Sequence, residues 1–182
     1  MGSYEQAKKA YAAYGVDTES ALERLKNIPI SVHCWQGDDV LGFDGSDSLE
    51  GGIQTTGNYP GKAVGFEQLK EDIKEAFSLM PGKKRLNLHA SYAVLGKDKG
   101  KVDRDAYTYE YFKPWVEFAK ENNFDGIDFN PTFFSHPKMK NGLTISSGDE
   151  EIRSFWVRHG KACMQIAAEI GKAMGSPCLV NL

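Results

Sequence analysis

His33 and Trp35, Asn87 and His89, Asp128 and Asn130, and Asn181 occupy alternate positions in four short apolar segments of the 182-residue chain. Alternate residues of an extended strand point to the same side, so each segment carries these groups on one face. The opposite faces are apolar: Ile28, Ile30, Val32 and Cys34 in the first segment, Leu86, Leu88 and Ala90 in the second, Ile127 and Phe129 in the third, Val180 in the fourth. Amide, imidazole and carboxylate groups converging at one mouth are the partners that a hydroxyl-rich ligand requires. An aromatic residue such as Trp35 adds an apolar wall that fixes its orientation. Asp128 and Asn130 are costly to bury without partners, which implies a ligand, a metal shell or a closed polar network.

Other motifs carry less. The run Gly57-Asn58-Tyr59-Pro60-Gly61-Lys62 is one residue short of a phosphate loop, and Ala63 stands where a magnesium-binding Ser or Thr would be. Asp38, Asp39, Asp44 and Asp47 lack the Gly and Glu spacing of a calcium loop and read as solvated carboxylates. His159 falls on the apolar face of a helix, where a hydrogen-bonded core histidine is expected. Cys34, Cys163 and Cys178 are far apart and form no C-x-x-C pair, so reduced thiols are expected.

The elements that must position these groups alternate between helix and strand. Two short helices are expected over residues 4–13 and 18–27, then a strand over 28–35 and a long connection over 36–65. Phe66, Leu69, Ile73, Ala76, Phe77 and Met80 share one helical face, and Pro81 and Gly82 stop that helix. A strand at 85–91, a helix at 109–122 and a strand at 126–130 follow. Ser147-Gly148-Asp149-Glu150 fits a capping box opening a helix to Met174, ended by Gly175 and Pro177. A fourth strand starts at Cys178.

Strands separated by helices pair in parallel, which leaves a doubly wound sheet or a (β/α) barrel. Polar groups toward the strand ends favour the barrel, whose chemistry lies at the C-terminal face. The fold class is therefore α/β, the N-terminal half (about four β/α units) of a TIM (β/α)8 barrel preceded by short helices. Residues 1–182 read as the N-terminal part of that single domain, truncated within the barrel. With 41% hydrophobic and 26% charged residues the composition is that of one globular domain. A net charge of −3 argues against a grip on nucleic acid or anionic lipid. No apolar run approaches the roughly 20 residues a bilayer requires, and the polar N-terminus lacks a signal-peptide core, so a cytoplasmic location is expected.

Val32-His33-Cys34-Trp35-Gln36-Gly37-Asp38-Asp39-Val40, Thr56-Gly57-Asn58-Tyr59-Pro60-Gly61-Lys62-Ala63, Arg85-Leu86-Asn87-Leu88-His89-Ala90 and Asp128-Phe129-Asn130-Pro131-Thr132-Phe133-Phe134-Ser135-His136-Pro137 together resemble L-rhamnose isomerase. The resemblance runs in order across nearly the whole chain, through the helix start Ile152-Arg153-Ser154-Phe155-Trp156. It implies a (β/α)8 barrel and a homotetrameric enzyme that interconverts L-rhamnose and L-rhamnulose by a hydride shift between C1 and C2. It also implies a divalent metal cofactor, manganese in most members. The family's metal ligands lie on later strands, so no metal ligand and no catalytic residue is assigned to this chain. Trp35 and Phe134 are expected as apolar contacts to the sugar and His89 as a hydrogen-bond partner of its hydroxyls, joined by Asp128 and Asn130 from the strand-face argument. The isolated chain is expected to be inactive and poorly soluble, because its outer strands expose unpaired edges. Two alternatives are a non-catalytic half-barrel that binds sugar or assembles with a partner, and another metal-dependent sugar isomerase or epimerase on the same barrel.

Overall fold

Helices and strands alternate as their hydrophobic spacing requires. The computed structural model describes residues 2–33, 40, 43, 44 and 63–181. Trp35, Cys34, most of the 36–65 connection and the 57–62 glycine-rich run lie outside the described residues. Two helices come first, α1 (Ser3–Ala12) and α2 (Thr18–Leu25), and neither buries a side chain. Asp17 caps α2 by accepting from the Ser20 N–H at 3.1 Å. The Tyr4 hydroxyl and the Lys8 ammonium both reach Glu19 at 2.9 Å, joining the two helices.

Strands β1 (Ile30–His33), β2 (Lys84–His89) and β3 (Gly126–Asn130) form an open parallel sheet in that order. Helix α3 (Gly65–Ser78) connects β1 to β2, α4 (Lys113–Glu121) connects β2 to β3, and α5 (Glu150–Met174) follows β3. Leu86, Leu88, Ile127 and Phe129 join the buried faces of these helices, among them Leu69 and Ile73 of α3, Trp115 of α4 and Ile166 of α5. Phe112 meets Phe129 edge-on at 5.0 Å and Phe66 meets Trp115 edge-on at 4.6 Å, a geometry aromatic quadrupoles favour. Among the described residues no helix is long and apolar enough to cross a membrane.

Four local expectations change. Ile28 is not in β1: its N–H donates to the Leu25 carbonyl at 3.0 Å, closing the end of α2. Helix α4 starts at Lys113 after a 3-10 turn at Tyr109–Tyr111, because Pro114 has no N–H to donate and is accommodated in the first helical turn. The cap of α5 is Asp149 and not Ser147. The Asp149 carboxylate accepts from the Glu151 and Ile152 N–H groups, while the Ser147 hydroxyl accepts from the Asp149 N–H at 3.2 Å. The segment from Cys178 makes one parallel bridge, Val180 to Phe129, rather than a strand.

That last difference has a local cause in the pair Arg85–Asp128. A parallel ladder would run from the Leu179 N–H to the Ile127 carbonyl, and from the Ile127 N–H to Pro177. Here the Leu179 N–H donates to Asp128 Oδ1 at 3.0 Å, and Arg85 Nη2 donates to the carbonyls of Ile127 and Pro177. Beyond Phe129 the next donor position is Pro131, which has no N–H. Arg85 also grips both Asp128 oxygens, Nε to Oδ2 at 3.0 Å and Nη2 to Oδ1 at 2.8 Å, and Nη1 reaches Ser176 Oγ at 2.7 Å. Glycine at position 126 leaves room for this grip, since a Cβ there would overlap the guanidinium and displace it.

Burial alone would raise the Asp128 carboxyl. Hydrogen bonds from Arg85 and the Leu179 N–H outweigh it and hold the group below its ordinary value. Removing one partner of such a buried pair strands the other charge. Arg85→Leu should therefore cost about 3–5 kcal/mol in urea unfolding, and pairing it with Asp128→Leu should recover part of that loss. A single substitution with unchanged stability would refute this role.

Candidate functional site

The C-terminal ends of the three strands bring the polar alternates together. Register places His33 beside Asn87, Asn87 beside Asp128, and His89 beside Asn130. Asn87 is 2% exposed and His89 7%, so the polar face is buried at β2, while His33 and Asn130 beside them are half-buried. The Asn87 Nδ2 lies 3.2 Å from His33 Nε2, and the His33 and His89 rings meet edge-on at 6.4 Å. His89 packs between Tyr92 at 5.3 Å and Phe134 at 6.3 Å. Of the residues expected here, His89, Phe134 and Asn130 are together. Asp128 shares their face, but both its oxygens are engaged by Arg85 and Leu179. Trp35 lies outside the described residues.

The loop after β3 shapes the wall. Asn130 Oδ1 accepts the Thr132 N–H at 2.8 Å, an Asx turn that reverses the chain around Pro131. Thr132 and Ser135 adopt left-handed backbone with φ of 56° and 52°. For a β-branched residue this costs on the order of 1–3 kcal/mol and persists only where neighbours impose it. Arg104 imposes it. Its buried guanidinium donates to the carbonyls of Thr132 (3.0 Å), Phe134 (2.7 Å) and Ser135 (2.9 Å), and to Asp44 at 2.6 Å. One side chain thus ties together segments that follow β1, β2 and β3. A separate cleft of about 450 Å³ lies beside it, lined by Lys101, Asp103, Tyr107, His136 and Lys138 among others.

Sequence reasoning missed Arg104, Thr132 and Tyr92. The Asn-Pro-Thr turn carried a local signal for Thr132. Arg104 had none, since its acceptors lie 28–60 positions away. His159 is a buried core histidine as expected, its nitrogens 3.0 Å from the Arg104 carbonyl and 2.5 Å from that of Pro131.

Burial, then the neighbouring His33 and Arg104, push the His89 imidazole down to about 4, so it is neutral at physiological pH. Among the described residues no three His, Cys, Asp or Glu side chains come close enough to hold a metal ion. The donor set on this face, two imidazoles and amides with Asp128 taken by Arg85, does not fit a divalent metal by itself.

The family described as L-rhamnose isomerase (RhaA) matches residues 1–182. The chain belongs to the L-rhamnose isomerase family. It is 55% identical over 181 residues to the L-rhamnose isomerase of Mannheimia succiniciproducens, covering 99% of this chain and 42% of that protein. Identity is 48% over 180 residues with the enzyme of Rhodopirellula baltica, covering 98% of this chain and 41% of the relative. It is 49% over 181 residues with that of Escherichia coli O127:H6, covering 99% and 42%. The chain thus spans about 42% of the length of these curated L-rhamnose isomerases.

The depressed His89 value has a consequence for stability. Between pH 6.5 and about 4 the unfolded chain takes up a proton that the folded chain refuses. The stability this group contributes is full above pH 6.5 and is lost as pH falls toward 4, a change of about 3 kcal/mol. His136 and His159, also lowered by burial, act in the same direction. His89→Gln should flatten the pH dependence of the urea midpoint in this window; an unchanged profile would contradict a buried neutral His89.

Proposed function

We propose that this chain is the N-terminal part of an L-rhamnose isomerase, which interconverts the aldose L-rhamnose and the ketose L-rhamnulose. The family match across residues 1–182 supports the reading. The observation that carries it is the buried imidazole of His89 beside the buried amide of Asn87 on the polar face of a parallel sheet, at its C-terminal edge. Deeply covered polar groups at that edge suit a ligand rich in hydroxyls.

In this reading Trp35, His89 and Phe134 form the near wall of the sugar pocket. His89 bonds a sugar hydroxyl, and the two aromatic rings lie against the sugar's apolar edge. Asp128 and Asn130 complete the wall from β3, where Asn130 sits in register with His89. The three strands and the bridge at Val180 correspond to the first four β/α units of a (β/α)8 barrel, and residues 1–182 are part of that one domain. The remaining strands supply its other half. The cofactor is a divalent metal, manganese in the family's usual form, held by ligands outside the described residues. The enzyme is a cytoplasmic homotetramer acting on a free sugar, with no nucleic-acid or membrane partner.

In the full-length enzyme His89→Ala should lower kcat/KM for L-rhamnose by about tenfold or more, the effect of losing a hydrogen bond to a buried polar group. Unchanged kinetics would remove His89 from the pocket. The 182-residue chain alone should give no L-rhamnulose with added manganese, and activity should return when the separately expressed remainder is supplied. Turnover by the short chain alone would overturn the half-enzyme reading.

A further inference from the structure

We propose that Thr132 is a positioning residue that fixes His89 as its Nδ1–H tautomer, so that Nε2 meets a bound hydroxyl group as a hydrogen-bond acceptor. The ligand's identity rests on the sugar-pocket reading; the tautomer does not.

The Thr132 hydroxyl stands 3.2 Å from His89 Nδ1 and 3.2 Å from the Asn130 carbonyl oxygen. It carries a single proton, and a carbonyl can only accept. The hydroxyl therefore donates to Asn130 and accepts from His89, which places the imidazole proton on Nδ1. A neutral imidazole has one N–H, so Nε2 is left with its lone pair. Among the described residues Nε2 has no hydrogen-bond partner.

Three features hold the relay in place. The Thr132 side chain is 1% exposed, so water does not compete for its proton. Its left-handed backbone, with φ of 56°, is locked by Asn130 Oδ1 from the N–H side and by Arg104 from the carbonyl side. Burial with Arg104 nearby keeps the ring neutral, so the second nitrogen stays an acceptor through the physiological range.

A neighbouring group points the same way. Asn87 is 2% exposed, its Nδ2 faces His33 Nε2, and its Oδ1 has no hydrogen-bond partner among the described residues. A buried acceptor without a donor is costly. Asn87 Oδ1 and the lone pair on His89 Nε2, two residues apart on one strand face, call for a ligand that brings O–H donors, as a polyhydroxy compound does.

The direct test is the 15N spectrum of histidine-labelled full-length enzyme by magic-angle spinning, with the His89 signals assigned by their loss in His89→Gln. The expected pattern is a protonated, pyrrole-like Nδ1 and an unprotonated, pyridine-like Nε2 at neutral pH. The reverse pattern would overturn the proposal without any variant being needed. Thr132→Val should abolish that preference and raise KM by about tenfold with a smaller change in kcat, while Thr132→Ser, which keeps the hydroxyl, should restore both. A valine variant with the tautomer intact would refute the role of Thr132. Saturating L-rhamnose should shift the Nε2 resonance as its lone pair accepts a hydrogen bond, and an unmoved resonance would overturn the acceptor role. An Nδ1–H tautomer that responds to Thr132 in a protein without L-rhamnose turnover would uphold the relay and count against the sugar reading alone.

Discussion

The Arg85–Asp128 ion pair is the interaction on which the placement of the sheet depends. It spans β2 and β3 and also collects the carbonyls of Asp125, Ile127 and Pro177 and the hydroxyl of Ser176. Through it the chain following α5 is brought back beside β3, where Phe129 and Val180 pair. A buried ion pair is weak evidence for stability in itself, because desolvation offsets much of the attraction. What it provides here is register: the geometry is bidentate, Gly126 leaves room for the guanidinium, and few alternative alignments would keep both charges satisfied.

With the register set, Arg85, Asn87 and His89 of β2 share one face with Gly126, Asp128 and Asn130 of β3, and along β2 that face runs from charge to amide to imidazole. Arg85 lies level with Gly126 and reaches up to Asp128, which lies level with Asn87, while His89 and Asn130 form the top level. The Arg85–Asp128 pair is closed upon itself, whereas Asn87 Oδ1 is left without a donor among the described residues. Arg104 does for the loops what Arg85 does for the strands. Its donors hold the carbonyls of Thr132, Phe134 and Ser135 in the loop after β3 and the carboxylate of Asp44, so the strained turn at Thr132 is maintained by contacts outside the turn. The two buried arginines thus divide the work between scaffold and site.

Much of this was legible in the sequence because it follows from short-range periodicity. The bounds of β3 coincide with those expected, and the alternation of Leu86, Asn87, Leu88 and His89 assigned their faces. The Asp149 cap was missed because two adjacent candidates, Ser147 and Asp149, satisfy similar local patterns, and only the closer carboxylate reaches the free N–H groups. The single bridge at Val180 was hidden for a different reason. An apolar run signals a strand, but whether its ladder forms depends on side chains such as Arg85 that take the ladder's acceptors. Arg104 belongs to the same class: its partners are distant in sequence, and an arginine in a polar stretch reads as a solvated cation until the fold surrounds it.

The site therefore combines a face readable from alternation with a polarity set by tertiary contacts. Its central property is the buried, unpartnered Asn87 Oδ1 beside the His89 imidazole, whose Nε2 is the proposed second acceptor, at the C-terminal edge of a parallel sheet in an L-rhamnose isomerase family member. The most direct measurement is a crystal structure of the full-length enzyme with L-rhamnitol, the unreactive polyol of the same configuration. The expected result is a polyol hydroxyl about 3 Å from His89 Nε2, with the Phe134 ring against the ligand's apolar edge. A polyol seated in the cleft lined by Lys101 and Lys138, or anywhere that leaves His89 untouched, would contradict it.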